Sequence, residues 1–353
     1  MKFDFDDILI QPKTITNINS RSEIEILDES DMLPLFTAPM DTVVSEINAD
    51  QFINNSIRVV LPRRRTNTVV NISTDPNCWH SYGLNEFHEI FLQNAPDNRG
   101  ATMYALIDVA NGHMPGILSA VKQSKVKYGS NLRLMVGNIA NPDTYKLLSD
   151  AGADYIRIGI GNGGGCLTTV QTGVGYPLAS LIQECYLISK KCKSPAKIVA
   201  DGGIQKYSDI IKALALGADY VMLGSIFNKA LESSGETYYA NKKSNGWTEP
   251  GERADQFDPK VTEYFKFGGE LYKKFRGMST KEVQKSWGNT DIKTSEGITK
   301  IQKVEYTISG WVENFSHYLR TAMSYTNCKN LDRFKGNVDI IQISEKSFER
   351  FMK

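Results

Sequence analysis

Short apolar runs rich in β-branched residues recur along this chain and alternate with stretches whose apolar positions follow helical spacing, which is the pattern of βα units around a parallel sheet. Seven such runs read as strands: Leu35 to Ala38, Arg58 to Leu61, Met103 to Val109, Leu132 to Val136, Tyr155 to Ile158, Lys197 to Ala200 and Tyr220 to Leu223. An eighth, Trp79 to Tyr82, neither alternates cleanly nor forms an apolar run. Between them, Asn141 to Ala151 and Ser208 to Leu216 carry helix signals: Asn-Pro-Asp or Ser and Asp at the start, and Gly152 or Gly217 just past the end. No repeat or low-complexity linker interrupts the series, and no apolar run is long enough to span a bilayer.

Composition narrows the class. At 353 residues and 41% hydrophobic content the chain can bury a large core. With 41 Lys and Arg against 40 Asp and Glu, no basic field draws nucleic acid or an anionic membrane to the surface. The start, Met1 to Asp7, lacks a basic segment followed by an apolar one, so a cytoplasmic protein is expected. Five cysteines, Cys78, Cys166, Cys185, Cys192 and Cys328, are widely spaced without a CxxC pair and read as free thiols. His80, His88, His113 and His317 show no ligand spacing, and no divalent metal site is expected.

The residues capable of chemistry fall at the carboxyl ends of the expected strands. Pro39-Met40-Asp41-Thr42 follows the first, Asp108 to Gly112 ends another, and Gly137-Asn138 the next. Gly161-Asn162-Gly163-Gly164-Gly165-Cys166-Leu167-Thr168-Thr169 comes directly after Tyr155 to Ile158, then Asp201-Gly202-Gly203, then Gly224-Ser225. In an α/β (β/α)8 TIM barrel these ends converge on one mouth, where active sites are built. Glycines admit positive φ or close approach, and a cysteine held among them is placed as a nucleophile, although a Gly-rich surface turn with an inert thiol has the same composition. Gly202-Gly203 and Gly224-Ser225 match the phosphate site such barrels place after their last two strands, each pair also being readable as a tight strand-to-helix turn.

The motifs resemble the IMP dehydrogenase and GMP reductase family of purine-nucleotide barrels. The matching stretches are Asp6 to Lys13, Ser20 to Glu23, Ala38 to Val43, the cysteine loop, Ala200 to Ile204, Val221 to Ser225, Phe275 to Ser279 and Ser295 to Gly297, covering nearly the whole chain. The resemblance implies one barrel domain over residues 1–353, the segment near Trp79 serving as the missing strand. It also implies no CBS modules, because Arg63 to Trp79 is too short to hold the pair that dehydrogenases usually insert there.

Two reactions compete within the family. Thr172-Gly173-Val174-Gly175-Tyr176-Pro177 and Asp108-Val109-Ala110-Asn111-Gly112 look like the reductases. Dehydrogenases place an Arg-Tyr pair, which activates hydrolytic water, in the flap between Gly277-Met278 and Ser295-Glu296-Gly297; here that stretch holds neither. The resemblance thus implies NADPH-dependent conversion of GMP to IMP and ammonia. Cys166 would attack purine C2, and Thr168 and Glu296 would move the proton that lets ammonia leave. Asp201 would bind the ribose, and Gly202, Gly203, Gly224, Ser225, Met278 and Ser279 the phosphate and its surroundings. Met40, Lys293, Ser295 and Gly297 complete the substrate side, and Asp108, Asn138 and Arg63 the cofactor side. Carbonyls at Gly161 and Gly163 would be candidate ligands of a monovalent cation, K+, and relatives are typically homotetramers.

Several positions depart from the family pattern. Gly164 replaces a phosphate-contacting serine, and Lys293 an arginine, keeping charge without the bidentate fork. Arg63-Arg64-Arg65 replaces a histidine-rich tract and suits a phosphorylated cofactor or a solvated basic turn. Thr237 to Lys274 is longer than its reductase counterpart and reads as a lid or interface segment. It holds Trp247, Arg253 and Tyr264, and the latter two are candidates for a replacement water-activating pair, which keeps IMP dehydrogenase as the alternative. A catalytically silent nucleotide-binding barrel is the third reading, against which the set Cys166, Thr168 and Glu296 argues.

Overall fold

A computed structural model of the chain describes residues 2–63, 72–94, 96, 100–163, 166–243, 248–278, 280 and 297–351. After a short strand β1 (Ile8–Ile10), eight parallel strands follow: β2 (Leu35–Thr37), β3 (Val59–Leu61), β4 (Cys78–Tyr82), β5 (Met103–Asp108), β6 (Leu132–Ile139), β7 (Tyr155–Ile158), β8 (Lys197–Asp201) and β9 (Tyr220–Leu223). From β3 to β9 each pairs with its neighbour in sequence. β9 returns to β2 in the register Leu35 with Val221 and Thr37 with Leu223. A single parallel bridge between Phe36 and Arg58 closes the ring. The architecture is the (β/α)8 barrel.

All seven expected strands are present. The weak eighth is β4, and its side chains explain the poor signal. Trp79 points into the apolar interior, where it is 1% exposed, while Ser81 is buried only because its hydroxyl donates to the Leu61 carbonyl at 2.7 Å. A polar residue satisfied by a neighbouring strand breaks the apolar pattern without costing the strand its place. The expected helices lie at Pro142–Ala151, with Asn141 Oδ1 accepting from Asp143 N at 2.8 Å, and at Tyr207–Ala215.

Inside the barrel, Phe36, Val60, Leu106, Met135, Val199 and Met222 pack around Trp79. Aromatic rings from the strand starts fill the amino-terminal half: Trp79 and Tyr155 lie 4.9 Å apart by ring centroid, Trp79 and Tyr104 5.3 Å, and Phe36 and Tyr220 5.2 Å. Filled at that end, the barrel opens at the carboxyl ends of its strands.

Beyond β9 the chain leaves the βα pattern. β10 (Thr237–Lys242), β11 (Thr248–Ala254), β12 (Leu271–Arg276) and β13 (Thr299–Lys303) form an antiparallel sheet in the order β11-β10-β12-β13, with helix Pro259–Lys266 between β11 and β12. Leu231, Ala254, Val261, Leu271 and Val304 make a small apolar core of their own. Helix Ile308–Tyr325 then takes the last outer position, stacking Trp311 on Tyr207 at 5.3 Å. β14 (Ile340–Gln342) pairs antiparallel with β1, tying the two ends of the described chain together.

Candidate functional site

A cavity of about 640 Å³ occupies the carboxyl-terminal mouth of the barrel. Its wall includes Met40, Arg63, Asp108, Asn138, Gly161, Gly163, Cys166 and Thr168 from the first six barrel strands, β2 to β7, and the loops after them, and Asp201, Gly202, Gly203, Gly224, Ser225 and Met278 from later ones. Gly297 joins them through an antiparallel bridge to Cys166. Ser279, Lys293, Ser295 and Glu296 lie outside the described residues, as do Arg64, Arg65, Gly164, Gly165 and Trp247.

The cysteine loop depends on its glycines. Gly159 has φ +127°, and a Cβ there would sit 2.0 Å from the Asp201 carbonyl oxygen; Gly161 has φ +82°, and a Cβ there would sit 1.7 Å from Thr169 Oγ1. No side chain fits at either point. The turn brings Cys166 N to the Gly163 carbonyl at 2.9 Å and places the half-buried Cys166 thiol 3.2 Å from Thr168 Oγ1, donating to it. Thr168 opens the short helix Thr168–Thr172, so backbone and side chain fix the hydroxyl beside the sulfur. Two thiols away from the cavity are poor nucleophiles: burial pushes Cys78 up to about 11 and moves Cys185 upward as well.

A charged network spans the floor of the cavity. Arg157, in the middle of β7, donates from Nη1 to Asp108 Oδ1 at 2.5 Å and from Nε to Asp201 Oδ2 at 2.9 Å. Asn138 Nδ2 donates to the same Asp201 oxygen and to the Gly159 carbonyl, each at 2.8 Å. Burial works against the guanidinium charge, but Asp201 and Asp108 outweigh it and hold the group above its ordinary range. The two carboxylates expected on opposite ligand sides are thus joined by one cation. Arg157 was not singled out by sequence pattern; a charged residue inside the run Tyr-Ile-Arg-Ile was its only trace.

Gly202 and Gly203 both adopt positive φ, +93° and +74°, and a Cβ on Gly203 would meet the Asn162 carbonyl oxygen at 2.9 Å. At Gly224 a Cβ would lie 2.9 Å from Met40 Sδ. Together these loops keep backbone, rather than side chains, at the surface a phosphate would approach, and Ser225 adds a hydroxyl. Phe275 near the end of β12 and Gly277 just past it add a second wall to the lining. Arg276 between them is buried and paired with Asp41 in the loop after β2.

Arg63 reaches the cavity with Nε 3.7 Å from the Glu86 carboxylate and its guanidinium against Gly83, where a Cβ would fall 2.3 Å from Nη2. The structure does not bring Arg253 and Tyr264 to this site. Arg253 is exposed, 3.7 Å from Glu236, and the Tyr264 ring packs on Tyr239 at 5.2 Å. His113 serves the fold: its Nε2 accepts from Ala140 N at 3.1 Å, its Nδ1 lies 3.0 Å from Thr144 Oγ1, and burial lowers its basicity. Among the described residues there is no cluster of three or more His, Cys, Asp or Glu that could hold a metal ion, and no helix long and apolar enough to cross a membrane.

Comparison with known proteins places this geometry in context. A family model described as IMP dehydrogenase / GMP reductase domain matches residues 100–247, the stretch from just before β5 to the end of the segment that follows β10. A GMP reductase of Oceanobacillus iheyensis is 27% identical over 358 aligned positions, covering 98% of this chain and 97% of the relative. One from Shouchella clausii is 28% identical with the same coverage. An inosine-5'-monophosphate dehydrogenase of Chlorobaculum parvum is 33% identical over 239 positions, covering 67% of this chain, and the match spans 44% of that relative's length.

Proposed function

This chain belongs to the IMP dehydrogenase/GMP reductase family, and from that membership we propose that it is a GMP reductase, converting GMP to IMP and ammonia with NADPH as reductant. The observation that carries the reading is the Cys166 thiol, 3.2 Å from the Thr168 hydroxyl, at the wall of a cavity that also presents Asp201 and two glycine-lined strand ends. Relatives matched over nearly their full length and named GMP reductase support it, as does the distance of Arg253 and Tyr264 from the mouth.

In the proposed reaction Asp201 binds the ribose hydroxyls, while Gly202, Gly203, Gly224, Ser225, Met278 and Ser279 surround the phosphate. Met40, Lys293, Ser295 and Gly297 flank the rest of the substrate. The Cys166 thiolate attacks C2 of the base; a C–S bond forms, Thr168 and Glu296 deliver a proton to the departing 2-amino group, and the C–N bond breaks to release ammonia, leaving a thioimidate. The wall fits a nicotinamide cofactor, because Val109 and Ala110 offer an apolar face beside Asp108 and Asn138, with Arg63 supplying a cation. NADPH, when bound, supplies the hydride that reaches C2. Cys166 is then expelled as thiolate, giving IMP. The Gly161 and Gly163 carbonyls are assigned to K+. Residues 1–353 act as one domain within a cytoplasmic homotetramer, and 237–274 serve as a lid or interface element.

Purified protein supplied with GMP and NADPH should yield IMP and ammonia, identified by chromatography. IMP with NAD should give almost no XMP. Efficient XMP formation would reject the assignment in favour of IMP dehydrogenase, the second reading, which the 33% identical stretch favours.

A further inference from the structure

Residues Lys2, Phe3 and Asp4 precede every strand of the barrel, yet they converge on the stretch that follows the cysteine loop. Helix Leu178–Ser189 opens on Pro177, which offers no side-chain cap. Asp4 supplies one: its Oδ1 accepts from Ala179 N at 3.2 Å and its Oδ2 from Leu178 N at 3.3 Å. Phe3 N donates to Ser180 Oγ at 2.7 Å, and Ser180 N returns a bond to the Phe3 carbonyl at 3.2 Å. Lys2 pairs with Glu184, which also accepts from the Tyr176 hydroxyl at 2.6 Å, and the Lys2 ammonium lies 5.0 Å from the centroid of the Tyr176 ring.

Tyr176 carries these contacts to the nucleophile. Its carbonyl accepts from Asn162 Nδ2 at 3.0 Å, and Asn162 is followed by Gly163, whose carbonyl accepts from Cys166 N at 2.9 Å. Glycines on both sides of Asn162 leave the loop free to take many conformations, so its position has to be imposed from outside. We infer that Lys2 to Asp4 form a strap that sets the position of the Cys166 loop, with Asp4 a positioning residue acting through Tyr176 and Asn162. This rests on Cys166 being the nucleophile. A nucleophile displaced by 1 Å can lose roughly a hundredfold in rate, so a contact this far from the sulfur has leverage on turnover.

The test compares wild type with Asp4→Ala, Asp4→Asn and Lys2→Ala. The rate at which iodoacetamide alkylates Cys166, resolved by peptide mass spectrometry, is measured alongside kcat, KM and Tm. Asp4→Ala should change the alkylation rate and lower kcat by about five- to tenfold each, the scale of a lost helix cap. Asp4→Asn, whose one amide oxygen keeps one of the two helix bonds while its Nδ2 cannot accept the other, should recover part of both. Lys2→Ala, at the surface, should shift alkylation about twofold in the same direction, being a weaker exposed contact. If Asp4→Ala lowers Tm while alkylation and kcat stay within about twofold of wild type, the strap is only structural and the inference fails. Should Asp4→Ala not fold, unchanged alkylation in Lys2→Ala overturns the inference equally. Absence of GMP turnover in the wild type would sink the reductase assignment and leave the alkylation comparison readable.

Discussion

The two walls of the mouth are built on opposite plans. The barrel wall carries the groups proposed to react, Cys166 and Thr168, together with the Asp108, Arg157 and Asp201 network, above an apolar, aromatic-filled interior. The wall from the inserted sheet contributes Phe275, Gly277 and Met278, and rests on polar groups. Fully buried Lys273 donates to the Ser233 carbonyl at 2.5 Å; Asn228 donates from Nδ2 to the Thr42 carbonyl at 2.6 Å and accepts at Oδ1 from Gln302 Nε2 at 2.8 Å; Gln256 Nε2 donates to the Ser233 carbonyl at 3.1 Å. The barrel wall stands on the apolar interior with one ion-pair network above it, whereas the covering wall adds hydrogen bonds to backbone carbonyls to a small apolar core. Substitutions on the first should act mainly on turnover, and on the second mainly on substrate binding and stability.

The largest expected effect is Cys166→Ala. Turnover should fall by at least about a thousandfold, because no other described thiol lines the cavity, while GMP affinity by calorimetry should change less than about threefold. Retained activity would remove the covalent mechanism. Next is Arg157→Leu, which leaves Asp108 and Asp201 facing each other without the cation between them. Breaking a buried pair in this way costs roughly 3–5 kcal/mol, to be read in kcat/KM and in denaturant unfolding. An unchanged kcat/KM with lost stability would make the network structural and blur the division between the walls.

On the covering wall, Arg276→Leu removes the partner of Asp41 beneath Phe275 and Gly277. About 2 kcal/mol is expected, below the full buried-pair value because Asp41 keeps some access to water. The loss should appear as a raised KM for GMP with kcat within about threefold. A fall in kcat at constant KM would mean that this wall takes part in chemistry.

The same contrast explains which parts of the fold were legible in the sequence. Barrel strands are buried on both faces, so Val59-Val60-Leu61 and Tyr220 to Leu223 announce themselves. β12 does not: Leu-Tyr-Lys-Lys-Phe-Arg buries Lys273, and its core position rests on carbonyls contributed by a turn 38 to 40 residues earlier. At the site, the glycine loops were readable because their positive φ values and close approaches require glycine. The role of Arg157 was not, since its partners lie 49 and 44 residues away and only the closed barrel brings them together.

The most diagnostic effect for the covering wall, and the one read in stability alone, is the pH dependence set by Lys273. Burial lowers its pKa from the ordinary lysine range to about 7, with the attraction of Glu232 only partly opposing the shift. Between pH 7 and the unfolded value of about 10.4 the unfolded chain therefore binds a proton that the folded chain does not. Stability should rise with pH across that window; below pH 7 both states are protonated and the penalty is constant. The slope from this one group approaches about 1.4 kcal/mol per pH unit well inside the window. Lys273→Met fills similar volume without a titrating group, so urea unfolding at pH 7, 8 and 9 should show this part of the slope gone. The variant loses the bonds to Ser233 and Gly235, which makes its absolute stability a poor test and the change of slope the right one. If wild type and Lys273→Met run parallel from pH 7 to 9, the lysine titrates normally, and the polar foundation of the covering wall is more open to water than its burial indicates.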